Sequence, residues 1–404
     1  MSAPPLRPAR DEDTVLGVRP GAVAEPASIE EAAAVVGETA RDGKSLLFVG
    51  GGTDLDLGPP PESLDVLLRT VRLDRVVEHA PSDQIAVVEA GVTLARLEQV
   101  LAAHGQRLAL DPPRPDRATV GGVIAANAFG PRRARYGAAR DLLIGVTLVR
   151  AEGRIARGGG KVVKNVAGFD LPRLMAGSLG TLALLATATF RLHPLPEDAV
   201  TLTVEGLSAR RLLDLVARMR EAQLEPDSVV AFRTAGGAFE LAVRFEGFPR
   251  GVAEQRDRFA KLAAPDPGRG GTEALDAAAA AALWARHDAL RCAGTVRAKI
   301  AALPASLERV ERDAFSPLSA SLGDAAILWY PTLGLGFAGG VPESPARAAE
   351  AIEAARRALA AEGGTVVLQA APEAVRALTP PWGPPPQALP LLREVKSRLD
   401  PGRR

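Results

Sequence analysis

Three separated glycine clusters in the first half of the chain constrain its fold more than any other feature. They are GGG at 50–52, TVGG at 119–122, and a longer segment over 158–182 that contains GGG and GSLG. Glycine lacks a Cβ and tolerates positive φ, so its backbone can approach a ligand closely and aim consecutive N–H groups at an anion. Each cluster alone also fits an ordinary turn. Three in this order indicate one site for an extended ligand.

The first cluster follows a short apolar run, 44–49, that predicts a buried strand. Thr53 and Asp54 come directly after the glycines, and the Thr53 hydroxyl is a further donor. Lys and Arg number 49 against 48 Asp and Glu, so the chain has no basic excess of the kind that nucleic-acid binding requires. This balance favours an anion held by backbone amides, with a plain strand exit as the alternative.

The second cluster is approached through Asp111-Pro112-Pro113, and proline fixes an extended backbone. Small residues at Ala125, Ala126 and Ala128 follow the glycines and leave room for a flat ligand. A buried helix of small residues is the alternative interpretation.

A further glycine-rich segment outside the three clusters, GLGFAG at 334–339, has the letters of a dinucleotide-binding fingerprint but not its structural context. In a true fingerprint the last glycine lies in the first turn of a helix. Here a helix can begin only near Ser344, and the next acidic residue after the following strand is Glu373. We therefore predict a glycine-rich strand or loop.

Cysteine and histidine are scarce, with Cys292 alone and four scattered histidines. One thiol excludes a disulfide framework and an iron–sulfur cluster ligated by this chain alone. The histidine spacing predicts no metal site.

The residue pattern of the sequence changes near the proline-containing segment 193–197. We expect three parts: a flexible N-terminus over 1–24, a first domain over 25–195, and an α+β domain over 196–404 that ends in a helix. No apolar segment reaches the roughly 20 residues of a membrane span. The expected location is the cytoplasm, with peripheral membrane association through partner subunits as an alternative.

Three segments carry a resemblance to a known family: GGGTDLDLG, DPPRPDRATVGGVIAANAFGPRRARYGAARDLLIG and GGKVVKNVAGFDLPRLMAGSLGTLALL. The chain resembles the FAD-binding proteins of the vanillyl-alcohol oxidase and p-cresol methylhydroxylase (PCMH) type. Within them it is most similar to the FAD-binding E subunits of bacterial glycolate oxidases. The likeness covers roughly 25–195 well and the rest loosely.

The resemblance implies an α+β fold, with a two-lobed PCMH-type FAD-binding domain followed by an α+β cap domain. It implies a pyrophosphate site at Val49, Gly50, Gly51, Gly52, Thr53 and Asp54. It implies a flavin and ribityl site at Pro112, Ala118, Thr119, Val120, Gly121, Gly122, Ala125 and Asn127. The adenine end would lie near Val163, Ser178, Gly180 and Leu182.

The chain departs from the family pattern in two respects. None of the three segments contains the His or Cys that tethers the flavin in many members, so we expect noncovalent FAD. The H-x-G-D-G-N-x-H metal constellation of the catalytic D subunit is missing, so we expect no metal and assign no catalytic residue. The sequence ends soon after Leu399-Asp400-Pro401, earlier than is usual in the family, which suggests truncation.

The resemblance thus implies an FAD-binding subunit of a glycolate (2-hydroxy acid) oxidase or dehydrogenase complex that relays electrons. Its partners would be a catalytic flavoprotein subunit and an iron–sulfur subunit. Alternatively the chain oxidises the acid itself, or is a stand-alone oxidase or dehydrogenase of a sugar, lactone or D-2-hydroxy acid. The cations that could hold a substrate carboxylate are Arg132, Arg133, Arg135, Arg297 and Lys299, although such charges also occur on ordinary solvated faces.

Overall fold

The computed structural model describes residues 3–162, 168–264, 272–323 and 325–402. The strands are β1 (Ala22–Ala24), β2 (Leu46–Val49), β3 (Val66–Arg69), β4 (Val76–Ala80), β5 (Ile85–Glu89), β6 (Gln106–Arg107), β7 (Leu143–Val149), β8 (Ile155–Gly159), β9 (Leu184–Arg191), β10 (His193–Pro194), β11 (Asp198–Leu207), β12 (Ser228–Arg233), β13 (Phe239–Gly247), β14 (Thr272–Ala274), β15 (Val296–Ala301), β16 (Ala326–Tyr330), β17 (Leu335–Gly340) and β18 (Thr365–Ala370).

The helices are α1 (Ile29–Arg41), α2 (Leu94–Ala102), α3 (Val120–Ala126), α4 (Arg133–Tyr136), α5 (Ala139–Leu142), α6 (Leu171–Met175), α7 (Ala209–Glu221), α8 (Pro249–Ala263), α9 (Ala277–Arg291), α10 (Leu307–Val310), α11 (Ser316–Ser321), α12 (Pro345–Ala360), α13 (Glu373–Arg376) and α14 (Leu389–Leu399). Within the described residues, no helix combines the length and the apolar character needed to cross a bilayer.

The first lobe is a parallel sheet with strand order β1-β3-β2, covered by α1. Helix α1 begins where the Ser28 hydroxyl accepts a hydrogen bond from the Glu31 N–H, as its sequence indicates. Its apolar face, which includes Val35 and Val36, packs against β3 and against Leu184 of β9. This contact joins the first lobe to the second.

The second lobe is an antiparallel sheet with strand order β4-β5-β9-β7-β8. Its central strand β9 reads LLATATFR and is buried along all but its last residue, Arg191. One set of its side chains faces α1, and another, which includes Phe190, joins the core under α2 and α3. Strand β9 therefore contributes side chains to the cores of both lobes.

The second half of the chain forms an eight-stranded sheet of order β14-β11-β13-β12-β16-β17-β15-β18, antiparallel at each pair of neighbours. One face carries the larger core under α7, α8 and α12. The other face carries Tyr330 and Phe337, which pack with Phe129 from the first half. The sheet thus presents an aromatic face to the N-terminal lobes. The glycines of 334–339 lie in and just before β17, so the prediction of a glycine-rich strand is confirmed.

The start of the chain differs from the flexible N-terminus that we expected over 1–24. Asp13 is 1% exposed and accepts ion pairs from Arg7 at 2.7 Å and from Arg69 at 3.0 Å. Val23 is buried in β1, which pairs with β3. A buried carboxylate between two guanidinium groups holds this segment against the first lobe, and proline content alone did not reveal that pairing.

Candidate functional site

The three glycine clusters meet at helix α3. The Gly51 N–H donates to Thr119 Oγ1 at 3.3 Å, which ties the first cluster to the N-terminus of α3. The third cluster binds the other end of the helix, where the Gly177 N–H donates to the Ile124 carbonyl at 2.9 Å and the Leu179 N–H to the Ala125 carbonyl at 2.9 Å. Segments more than a hundred residues apart therefore line a common cleft.

Glycine is required where the segments cross. A Cβ on Gly51 would lie 1.7 Å from the Arg117 carbonyl oxygen, and one on Gly121 would lie 2.8 Å from Ala90 Cβ. Gly52 and Gly180 adopt positive φ of 70° each, a region that L side chains rarely occupy. The absence of side chains brings the backbones together and leaves the walls of the cleft made of peptide groups.

The cleft consists of three adjoining cavities, whose volumes include space open to solvent. The central cavity, about 410 Å³, lies between Gly50, Gly121 and Ala125. It shares Leu179 with a wide cavity of about 1090 Å³ between the two halves of the chain. On its other side it shares Phe48 with an end cavity of about 400 Å³ beside α1. An elongated ligand fits this arrangement better than a compact one.

The buried polar atoms without a hydrogen-bond partner include Asn127 Oδ1, at the wide cavity, and Ser178 Oγ, in the layer behind the cleft. A buried polar group without a partner costs about 1–3 kcal/mol, so such atoms point to a ligand that supplies the missing hydrogen bonds. Asn127 lines the wide cavity, and Ser178 lies in the turn between Gly177 and Leu179. Peptide amides, small walls and unpaired polar atoms along an extended cleft are a donor set that fits FAD.

The wide cavity is positively charged on the side of the second half. Arg291 stacks its guanidinium 3.7 Å from the centre of the Phe337 ring and donates from Nη1 to the Phe129 carbonyl at 3.1 Å and to the Tyr330 hydroxyl at 2.7 Å. Burial, and then the positive field of Arg133 and Arg291, lower the pKa of Lys299. These cations face the end of α3 across the cavity, where an anion would be stabilised.

Two of the five cations predicted to hold a substrate, Arg297 and Lys299, line the wide cavity. Arg297 also pairs with Asp56 of the first lobe at 2.9 Å. The structure places Arg133 over the Phe129 ring, with 4.4 Å between the guanidinium carbon and the ring centre. Arg135 donates to the Glu225 carbonyl at 2.6 Å, so it joins the two halves of the chain at the surface.

Arg132 belongs to a buried ion cluster between the halves. Glu246 of β13 accepts from Arg132 at 3.3 Å, from Arg107 at 2.5 Å and from Arg244. Asp227 lies 4.0 Å from Arg132 and is fully buried, and burial raises the pKa of its carboxyl. The cluster fixes how the second half sits on the second lobe.

A side cavity of about 790 Å³ is lined by Arg132 and Arg244 of this cluster and shares Pro112 with the wide cavity. Burial raises the pKa of Asp111 to about 6, although its carboxylate accepts the Gly130 and Arg132 N–H groups at 3.0 Å each. His287 also lines this cavity, and burial lowers its pKa. Its ring lies 2.6 Å from the Tyr330 hydroxyl, so this histidine supports the tyrosine that holds Arg291.

The structure distributes the residues predicted to bind FAD between the cleft and the layer behind it. Those that line the three cavities are Val49, Gly50, Thr53, Asp54, Pro112, Gly121, Gly122, Ala125, Asn127, Gly180 and Leu182. Those outside the cavity linings are Gly51, Gly52, Ala118, Thr119, Val120 and Ser178, of which Ala118 and Val120 are each 1% exposed. Val163 lies outside the described residues.

Sequence reasoning missed several residues at the cleft: Arg114, Arg291, Cys292, Trp382 and Asp400. Arg114 stands in the proline segment and donates to the Thr53 carbonyl, a pairing that no spacing rule foretells. The others come from the second half, where only Asp400 stands in a segment that the resemblance singled out, Leu399-Asp400-Pro401. Cys292 bears on the expectation of noncovalent FAD, because that expectation considered thiols only within the three segments.

Comparison with known proteins agrees with this geometry. Residues 20–159 match the protein family described as "FAD binding domain". The chain is 36% identical over 184 residues to a D-lactate dehydrogenase of Archaeoglobus fulgidus, which covers 45% of the chain and 41% of that protein. It is 31% identical over 223 residues to the glycolate oxidase subunit GlcE of Escherichia coli, which covers 55% of the chain and 61% of that subunit.

The fold is also found among solved structures. An alkyldihydroxyacetonephosphate synthase superposes with a TM-score of 0.70 over 96% of this chain and 76% of that one, at 15% identity, which shows a shared fold. The chain spans about half the length of the curated relatives that it matches. The resemblance seen in the glycine segments is thereby confirmed: the chain carries a PCMH-type FAD-binding domain, followed by an α+β cap domain, and FAD is its cofactor.

Proposed function

We propose that this chain is the FAD-binding subunit of a complex that oxidises a 2-hydroxy acid such as glycolate. It would hold FAD without a covalent bond and relay electrons between a catalytic flavoprotein subunit and an iron–sulfur subunit. The domain limits expected from the sequence, 25–195 and 196–404, belong to this proposal. The single observation that carries it is the cleft around α3, which three glycine segments line with peptide groups.

The names of relatives support the reaction class. Besides GlcE, the chain is 33% identical over 183 residues to the glycolate oxidase subunit GlcD of Bacillus subtilis, which covers 39% of that subunit. Bound FAD supplies a hydride acceptor for the oxidation of a hydroxyl-bearing carbon. The chain's part is to bind and orient the cofactor: the phosphates would lie in the central cavity beside Gly50 and Gly121, and Asn127 lies in the wide cavity at the flavin end.

A second candidate function is that the chain oxidises the hydroxy acid itself, as a D-2-hydroxy acid dehydrogenase. The observation that favours it is the pair of cations, Arg291 and Lys299, in the wide cavity. A carboxylate binds well to such a pair because both cations are partly removed from water. In this candidate Arg291 and Lys299 hold the substrate carboxylate next to the flavin end of the cleft.

The test is an absorption spectrum of the chain purified alone, followed by anaerobic addition of glycolate or D-lactate. We expect a yellow protein whose flavin is released by acid and remains oxidised with either acid until the catalytic partner is added. Bleaching of the chain alone would instead support the second candidate. A colourless chain that takes up no FAD on titration would contradict both.

Attachment of the flavin is tested with the variant Cys292→Ser. We expect acid to release the flavin equally from this variant and from the wild type. Flavin that stays with the wild-type chain after acid precipitation, but is released from the variant, would show a thioether bond to Cys292 and contradict the noncovalent proposal.

A further inference from the structure

Trp382 joins the cap domain to the first lobe across the wide cavity. It lines that cavity, and its ring also lies against the backbone at Gly58, where a Cβ would lie 3.2 Å from the ring. Gly58 adopts a φ of 100°, a region that favours glycine, so this position supplies both the backbone conformation and the space that the ring requires. Although Gly58 ends the segment GGGTDLDLG, it lies outside the linings of the three cavities. Its evident role is therefore to receive the ring of Trp382.

The cap domain holds the backbone of Trp382 in a fixed position. Arg356 of α12 is 5% exposed, and its Nη2 donates to the Pro380 carbonyl at 2.7 Å and to the Pro381 carbonyl at 3.0 Å. The Pro381 carbonyl also accepts the Leu368 N–H of β18 at 2.9 Å. Two consecutive prolines restrict the backbone further. The chain is thus fixed to the cap directly before the tryptophan, and only the ring reaches across to the first lobe.

The cap meets the FAD-binding domain through two unlike junctions. On one side the Glu246 carboxylate, 1% exposed, lies in the buried ion cluster to which Arg132 belongs. On the side of the wide cavity the contacts include the ring of Trp382 and the pair between Arg297 and Asp56, whose carboxylate is 52% exposed. Breaking a buried ion cluster costs far more free energy than breaking an exposed pair. The two halves of the chain therefore separate more easily on the side of the wide cavity.

The same side offers a route for the cofactor. The wide cavity lies between the two halves of the chain and adjoins the central cavity. An elongated molecule enclosed there enters and leaves most easily where the halves move apart, and Trp382 spans that gap. Closure of this kind commonly controls the passage of ligands.

We propose that Trp382 is a latch that closes the wide cavity over bound FAD, with Gly58 as its seat. The latch retains a cofactor that the chain holds without a covalent bond, and its release from Gly58 opens the cleft for exchange of the cofactor. The proposal rests on the placement of FAD in the cleft. It adds a residue of the cap domain that acts on the rates of FAD entry and exit.

The test separates a latch from an ordinary contact by the rates of FAD binding to the full-length chain. A latch joins two protein groups that meet with and without the cofactor, so its removal should speed entry and exit by the same factor. For Trp382→Ala we expect both rate constants, association by stopped-flow flavin fluorescence and dissociation by release on dilution, to rise about tenfold. Their ratio, the dissociation constant, should stay within about threefold.

A second variant tests the seat of the latch. Gly58→Ala places a methyl group against the ring, so it should raise both rate constants in the wild-type chain. It should add less than about twofold when Trp382 is already alanine, because the two changes act on one contact. The matched control is Leu378→Ala, which removes a 56% exposed apolar side chain from the same segment, outside the lining of the wide cavity. Both rate constants of this control should equal those of the wild type.

Two results would overturn the latch. A rise in the dissociation rate alone, with a matching rise in the dissociation constant, would make Trp382 an ordinary contact of FAD. Unchanged rates in both Trp382→Ala and Gly58→Ala would show that the contact does not control access. A wild-type chain that binds no FAD would overturn the FAD site together with the latch. None of the rate measurements depends on the substrate or the partner subunits, so the latch can fail while the proposed function stands.

Discussion

The two halves of the molecule build the cleft with different materials. The FAD-binding domain contributes backbone: Gly50, Gly121 and Gly180 line the cavities with peptide groups. The cap domain contributes side chains: Arg291 and Lys299 face the same cleft from α9 and β15. The backbone of the FAD-binding domain binds through amides, whose positions depend on local conformation. The side chains of the cap domain bind through charges, whose positions depend on packing across the whole cap.

This difference explains which functional residues a reader of the sequence can find. A backbone site needs glycine at each crossing, and the need leaves clusters that stand out. A side-chain site leaves an arginine or a lysine among 49 such residues. Four variants test this difference between the halves, in order of decreasing expected effect.

The largest effect is expected from Gly51→Ala. Its Cβ would lie 1.7 Å from the Arg117 carbonyl oxygen, so the first cluster must move away from α3. We expect the variant to lose FAD binding altogether, because the clash is with backbone and cannot be relieved by turning a side chain. The measurement is fluorescence titration of the flavin-free chain.

The control for this variant is Gly236→Ala, since a Cβ at Gly236 meets no atom within 4 Å. FAD binding of the control should equal that of the wild type. Wild-type affinity in Gly51→Ala would show that the crossing of the first two clusters does not shape the site.

The next effect concerns the junction of the halves, which depends on the side chain of Glu246. Glu246→Ala leaves Arg107, Arg132 and Arg244 without their shared carboxylate. Removing one partner from a buried ion cluster costs about 3–5 kcal/mol, and the free energy of unfolding should fall by that amount in urea titration. Glu225→Ala, which removes a 71% exposed carboxylate paired with Arg135, should cost less than about 1 kcal/mol. Equal losses would refute a special role for the buried cluster.

A third effect is a pH dependence that Asp111 introduces. Its pKa is raised from 3.8 when unfolded to about 6 when folded. The folded chain therefore binds more protons between these values, and stability falls as pH rises from about 4 to 6. At about 1.4 kcal/mol per pKa unit, the loss approaches 3 kcal/mol. Asp111→Asn should flatten the unfolding free energy over this window, and an unchanged slope would contradict the assignment.

The smallest effect tests whether the cap charges bind an anion. Lys299→Met should weaken the binding of oxalate to the FAD-loaded chain about tenfold, followed through the perturbed flavin spectrum. Arg297→Met is the comparison, because Arg297 is already paired with Asp56. It should change oxalate binding by less than about threefold. The opposite ranking of the two variants would move the anion site from Lys299 to Arg297.

Much of the fold could be predicted from local patterns. Strand β2 lies within 44–49, the run predicted to be a strand, and the side chains of Ser28 and Thr93 cap α1 and α2, as serine and threonine commonly do. The three segments that identified the FAD-binding domain lie together at α3, because glycine spacing records close backbone crossings directly.

The parts of the fold and of the candidate site that could not be predicted depend on contacts between residues that are far apart in the sequence. Asp13 is buried because Arg69, far along the chain, completes its pairing with Arg7. Arg132 was predicted as a substrate residue on its charge, yet Glu246 engages it across the junction of the halves. Asp400 reaches the end cavity only because Lys396 fastens α14 to Thr181. Composition and spacing carry no record of such pairings.

The most direct test of the account is an electron-density map of the full chain crystallised with FAD. The account predicts one FAD per chain, with its phosphates beside Gly50 and Gly121 in the central cavity, its flavin in the wide cavity beside Asn127, and its adenine beyond Gly180. Density for FAD elsewhere, with these three glycine segments free of contact to it, would contradict the account.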